Sequence, residues 1–150
     1  MKKSFFSLLA LIAFQFSPFS FQLKAETVPA TDSRITFVGR SVIENDSYRF
    51  DFPSTYFRVA FSGKKLSMRV TDTKRNYYAV FVNTPTSAEP TRIVEVKGTD
   101  TIIDLVLPAD LKSLKTKEYQ VVIQRRTEAN CGTTTVKEFI TDGKFLQAEP

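Results

Sequence analysis

The 150-residue chain contains no histidine and no tryptophan, a single cysteine, and only five glycines. Without an imidazole there is no Ser-His dyad or triad to shuttle the proton in acyl transfer by a serine hydrolase. Imidazole metal sites are excluded as well, and the lone Cys131 cannot build a thiolate zinc site. Cys131 cannot close an internal disulfide either; beside Gly132 it reads as a half-buried small apolar residue. Neither a Gly-Asp-Ser nucleophile turn nor a Gly-x-Ser-x-Gly elbow is present, and so few glycines leave no phosphate-cradling loop. No cofactor and no metal are expected. The lack of tryptophan removes the favoured flat platform on which a sugar ring stacks.

An excess of one charge is also missing, once the leader is set aside. The formal charge is +5, but Lys2, Lys3 and Lys24 fall in residues 1–25, which hold no acid. Removing three of the 21 basic residues leaves 18 against 16 acidic ones, a net +2. So balanced a surface offers no electrostatic footprint for nucleic acid or an anionic membrane. Met1 to Ala25 itself reads as an export signal: Lys2 and Lys3, then an apolar run from Phe5 to Phe16, then Ala25 at a cleavage point. Pro18 and the polar Gln15, Ser17, Ser20 and Gln22 interrupt that run, which argues against a spanning anchor. The absence of a cysteine near Ala25 excludes lipoprotein attachment. A secreted or periplasmic protein is expected, with residues 26–34 as a linker and residues 35–150 as the domain.

Within that domain the runs are short and alternate with turn signals. Phe57, Val59 and Phe61 share one face, Leu66, Met68 and Val70 another, and Ser62-Gly63-Lys64-Lys65 joins them as a hairpin turn. Tyr48 to Phe52 alternates aromatic with charged and stops at Pro53, which cannot donate to a ladder. Tyr77 to Val82 is apolar on both faces, as in a strand between layers. Ile35 to Gly39, Arg92 to Val96, Thr101 to Leu107, Tyr119 to Arg126 and Thr133 to Thr141 complete the set. One helical turn capped by Asp110 is the only helix predicted. About nine short antiparallel strands with almost no helix predict an all-β sandwich.

Chemistry within such a sandwich has few sources. A carboxylate pair, as in glycoside hydrolysis, would draw on Asp46, Asp51, Glu128 or Asp142, but these sit at turns where solvation or capping accounts for them. Catalysis by this chain alone is not expected. Sugar stacking would fall to Tyr48, Tyr56, Tyr77, Tyr78 or Tyr119. Tyr77 and Tyr78 are strand neighbours and point to opposite faces, so one is core and the other exposed or covered by a partner. Arg126 and Glu128, two apart at a strand end, project to one side, where Arg40 is a candidate partner for Glu128. This charged cluster either props loops that face a partner domain or is a surface ion pair worth at most about 1 kcal/mol.

Several spaced motifs occur in a fixed order: Val38-Gly39-Arg40, Phe61-Ser62-Gly63 with Leu66, Asn76-Tyr77-Tyr78 with Val80, Arg126-Thr127-Glu128-Ala129 with Gly132, and Phe139 with Asp142-Gly143 and Leu146. In this order and spacing the chain resembles the N-terminal β-sandwich of carbohydrate esterase family 2, whose members deacetylate xylan and related polysaccharides. The resemblance implies a jelly-roll, galactose-binding-like sandwich followed by a Gly-Asp-Ser-type hydrolase domain, with position 150 about where that second domain should begin. It departs at Glu118-Tyr119-Gln120-Val121, where the family often has histidine, and at tryptophan positions filled by phenylalanine or proline. Family catalytic residues have no counterpart here. The expected role is a non-catalytic accessory domain that packs against a hydrolase domain or subunit and shapes its substrate cleft. The alternative is a stand-alone binding module for plant cell-wall polysaccharide. Arg40, Tyr77, Tyr78, Arg126 and Glu128 are the residues expected to bind or to form the domain interface.

Overall fold

Residues 24–150 are described by a computed structural model; residues 1–23, which carry most of the export-signal reading, lie outside the described residues. The first strands are β1 (Glu26–Pro29), β2 (Thr36–Val38), β3 (Val42–Glu44) and β4 (Ser47–Phe50). Longer ones follow: β5 (Tyr56–Ser62), β6 (Leu66–Asp72), β7 (Arg75–Val82), β8 (Arg92–Lys97) and β9 (Thr101–Val106). After the four-residue α1 (Pro108–Leu111) come β10 (Tyr119–Arg125), a 3-10 turn (Ala129–Cys131), β11 (Thr134–Thr141) and β12 (Lys144–Leu146).

Two antiparallel sheets result. One runs β3-β4-β11-β6-β9 with β1 also paired to β11; the other runs β12-β5-β10-β7-β8 with β2 also paired to β5. Strands distant in sequence lie side by side, β4 with β11 and β5 with β10, as in a jelly-roll sandwich. The predicted alternation is what closes it. Phe57, Val59 and Phe61 on β5 face Leu66, Met68 and Val70 on β6 across the layer, all essentially solvent-free. Tyr78 and Val80 on β7, Ile123 on β10, and Val136 and Phe139 on β11 complete the core. Full burial of each such aliphatic or aromatic side chain stabilises the fold by about 1.5–3 kcal/mol. At one flank the rings of Phe37 and Tyr48 stack with centroids 4.2 Å apart, closing the sandwich over Phe57.

Three differences from the sequence expectation have physical causes. The described residues form twelve strands rather than about nine, because β1, β3 and β12 are three or four residues long and too short to register as alternation. The expected linker at 26–34 is in part a strand. β1 pairs with β11 from Glu26 opposite Thr141 to Pro29 opposite Glu138, and it drives Val28 into the core. Pro29 hid this assignment, yet proline is tolerated at a strand edge. Asp110 does not cap from the N-cap position. It stands inside the first turn and accepts the Leu107 N–H at 2.8 Å, while Pro108 occupies the first helical position, where no donor is needed.

Candidate functional site

Strand alternation decides the fate of the Arg125-Arg126 pair. On β10, Val121, Ile123 and Arg125 face inward and Arg126 faces out. The guanidinium expected to act from Arg126 is therefore matched inside the protein by that of Arg125, which is 1% exposed. Arg125 donates to the carbonyls of Thr127 at 3.1 Å, Glu128 at 3.1 Å and Gly132 at 2.7 Å, and to the Thr134 hydroxyl at 3.2 Å. Those carbonyls belong to the turn between β10 and β11, so one side chain holds the whole connection.

The network continues into both sheets. Thr134 Oγ1 also accepts the Tyr78 hydroxyl at 2.8 Å and donates to Asp72 at 2.6 Å. Asp72 takes a second donor from the Asn76 amide at 2.7 Å, and Thr127 Oγ1 donates to Asn76 Oδ1. Asp72 lies on β6, Asn76 and Tyr78 on β7, Arg125 on β10 and Thr134 on β11, so the cluster bolts the two sheets together at one end. Burial pushes the Tyr78 phenol well above its ordinary pKa, and this tyrosine is structural. Gly132, at φ 113°, closes the turn; a Cβ there would lie 2.9 Å from Thr73 Oγ1.

The other expected site residues lie on the surface of this same end. Arg126 is exposed, and its backbone N–H donates to the Tyr77 carbonyl at 2.9 Å. Tyr77 is exposed and stands opposite Glu95 on β8. Glu128 contributes its carbonyl to Arg125 and turns its side chain to solvent. The expected pairing of Arg40 with Glu128 does not form. Arg40 instead places its guanidinium 3.8 Å above the centre of the Phe52 ring, a cation–π contact that the turn after β2 makes available. Arg40, Val42 and Phe52 line a shallow depression of about 200 Å³. Thus Arg40, Tyr77, Arg126 and Glu128 share one rim of the sandwich, and Tyr78 is withdrawn beneath it.

The acids weighed as a catalytic pair are occupied or dispersed at turns. Asp142 accepts the N–H groups of Lys64 and Lys65 at 2.8 and 3.0 Å, and Asp46 shares with Asn45 a positive-φ hairpin turn. Sequence reasoning missed a second feature altogether. At the other end of the sandwich, on the outer face of the second sheet, an open cleft of about 550 Å³ is lined by Arg58, Asn83, Thr84, Thr86, Gln120 and Val122. Asn83, at φ 50°, anchors the loop over it by exchanging two hydrogen bonds with Gln120: its N–H donates to the Gln120 carbonyl at 2.8 Å and its Oδ1 accepts the Gln120 N–H at 2.7 Å. The outward alternation of Arg58 on β5 and of Gln120 and Val122 on β10 was a signal for it, but which loop overhangs that face is a tertiary fact.

The fold has solved counterparts. A family two carbohydrate esterase from Cellvibrio japonicus superimposes with a TM-score of 0.70 at 23% identity, over 85% of this chain and 36% of that one. A family two esterase from Clostridium thermocellum, solved in complex with cellohexaose, does so with a TM-score of 0.65 at 21% identity, over 77% of this chain and 34% of that one. The chain thus spans about one third of the length of these esterases. The carbohydrate-binding module CBM36, solved with calcium and xylotriose, matches over 81% of this chain and 99% of its own length at 11% identity and a TM-score of 0.51. At these identities the likeness shows the sandwich fold alone. Among curated proteins none matches. The family model described as carbohydrate esterase 2 N-terminal matches residues 37–150, from β2 to the last residue, and the chain belongs to that family.

Proposed function

We propose that this chain is the non-catalytic accessory sandwich of an exported acetyl-polysaccharide esterase, packing against a hydrolase domain and helping to shape its substrate cleft. The match to the N-terminal model of the esterase family over residues 37–150 carries this reading. The rim supports it. Val42 and Phe52 stay 48% and 37% exposed around the Arg40 guanidinium, and apolar groups left that open beside a fixed cation suit a surface that a partner covers. Export rests on the leader sequence, and the polysaccharide class on the esterases whose fold this domain shares. A second reading, a stand-alone carbohydrate-binding module, is favoured by one observation: the fold matches CBM36 over 99% of that module's own length.

The test mixes the purified chain with the hydrolase domain from its own genome. The two should co-elute and release acetate from acetylated xylan faster than the hydrolase alone, while the sandwich alone gives no turnover of p-nitrophenyl acetate above buffer. Arg40→Ala with Phe52→Ala should weaken association by roughly tenfold, about 1.4 kcal/mol. Turnover by the sandwich alone, or no association at all, overturns the proposal. Retention on polysaccharide without hydrolase association would favour the second reading.

A further inference from the structure

We infer that the cleft at the Asn83 end is a saccharide site that takes a neutral, polyhydroxylated sugar chain. The inference rests on the reading above only for the choice of polymer; the groups in the cleft define the ligand class by themselves. Its volume of about 550 Å³ lies within the roughly 300–1,000 Å³ typical of ligand sites. Its polar lining is two amides, two threonine hydroxyls, the Arg58 guanidinium and Glu149, beside Pro85, Val121 and Val122, and the fold satisfies the amides and hydroxyls only in part.

Asn83 uses its Oδ1 on the Gln120 N–H and keeps its amide hydrogens free of partners among the described residues. Gln120 uses its Oε1 on the Glu149 N–H at 3.3 Å and likewise keeps its amide hydrogens. The Thr84 and Thr86 hydroxyls have no partner among the described residues, and each can both donate and accept. Arg58 directs one Nη to the Pro150 carbonyl, while its Nε is buried without an acceptor among those residues. Such mixed donors and acceptors match sugar hydroxyls, which also do both. Charge points the same way. The lining holds one cation, Arg58, and one acidic residue, Glu149, so it carries no net charge to favour a phosphate or other anion. No aromatic ring lines the cleft, so binding depends on hydrogen bonds to particular hydroxyls and is weak, with a Kd of order 1 mM. Asn83, locked to β10 through both its backbone and its side chain, holds the wall in place before any ligand arrives.

An ¹⁵N NMR titration of the full chain with xylohexaose, then cellohexaose, tests this. At least one of them should shift the amides of Asn83, Thr84, Thr86, Gln120 and Val122 in a saturable manner. Gln120→Ala and Thr86→Ala should each weaken binding at least fivefold while core amide shifts stay in place, and Tyr77→Ala should leave affinity unchanged. If Gln120→Ala does not fold, Thr86→Ala on the exposed loop decides alone. Shifts centred on Tyr77 and Arg126, or no cleft shifts with either sugar at about ten times a millimolar Kd, overturn the inference. Hydrolase association is measured separately at the Arg40 rim, so either proposal can fail while the other stands.

Discussion

The two ends of this sandwich treat polar side chains in opposite ways. At the rim, Arg125, Thr134, Asp72 and Asn76 are buried, and their hydrogen bonds close on one another, on the Tyr78 and Thr127 side chains and on the backbone of the β6–β7 and β10–β11 turns. The Thr134 hydroxyl receives two donors and makes one donation, which saturates it. At the cleft, Asn83 and Gln120 each make bonds within the fold but keep amide hydrogens free of partners among the described residues. The residue types are similar at both ends, and burial separates them. Inside, an unmade bond has no water to replace it, so the network must be complete and is therefore structural. Outside, water stands in for a ligand, so incompleteness carries little penalty and leaves recognition possible.

Substitutions can break that contrast, beginning with the buried guanidinium. Arg125→Met should destabilise the domain by about 3–5 kcal/mol in chemical denaturation, because three carbonyls and a hydroxyl lose their donor at once. Arg126→Ala, one residue along on the exposed side, is the control for that experiment. Gly132→Ala should follow, at about 2–4 kcal/mol, since the residue combines a left-handed φ with a crowded approach to Thr73 and Lys74. Tyr78→Phe should cost about 1 kcal/mol, the hydroxyl's single donation to Thr134, which still keeps Arg125. In the unsubstituted protein, a spectrophotometric titration should show no Tyr78 ionisation below the alkaline unfolding transition, because burial raises its pKa.

Away from the rim, half-exposed ion pairs tie the first residues down, and these should respond to pH. Glu26 accepts the Phe145 N–H at 2.6 Å and the Arg34 guanidinium at 3.0 Å, and Asp32 takes the other edge of Arg34 at 2.9 Å. The Phe145 N–H first, and then Arg34, hold the Glu26 carboxyl below its ordinary range; Arg34 does the same for Asp32. Both pKa values are lowered on folding, so the unfolded chain binds protons more readily. The stabilisation is therefore complete above the ordinary carboxylate pKa of about 4 and is lost as pH falls through the lower folded-state values. The melting temperature should drop as pH is taken from about 5 to about 3, and Glu26→Gln should flatten that slope. At neutral pH the same substitution should cost no more than about 1 kcal/mol. The smallest effect belongs to Arg126→Ala, within about 0.5 kcal/mol; a loss comparable to that of Arg125→Met would mean the two guanidinium roles are reversed.

Much of the sandwich was legible because long strands repeat their alternation. β5, β6 and β10 each carry three or more inward apolar residues at period two, and the core is built on them. β1 was not legible. It has one buried apolar side chain, Val28, followed by a proline, and its pairing with β11 is set by a partner more than a hundred residues away. At the rim the motif ending in Thr127 and Glu128 was visible, but the choice between Arg125 and Arg126 turns on the phase of β10. A shift of one residue exchanges a bolt for a solvated side chain. Arg40 was expected to find a carboxylate and found the face of Phe52, because the turn after β2 lays its guanidinium over that ring.

The sequence by itself determined the all-β class, the inward faces of the long strands, the absence of imidazole chemistry and the family motifs, all of which depend on residue type and local period. Only the tertiary structure decided that Arg125 rather than Arg126 is enclosed, that Tyr78 is withdrawn while Tyr77 is exposed, and that the Asn83 loop overhangs Arg58 and Gln120. The reason is physical: alternation specifies which side chains share a face, but burial and hydrogen-bond partners depend on what the rest of the chain lays against that face.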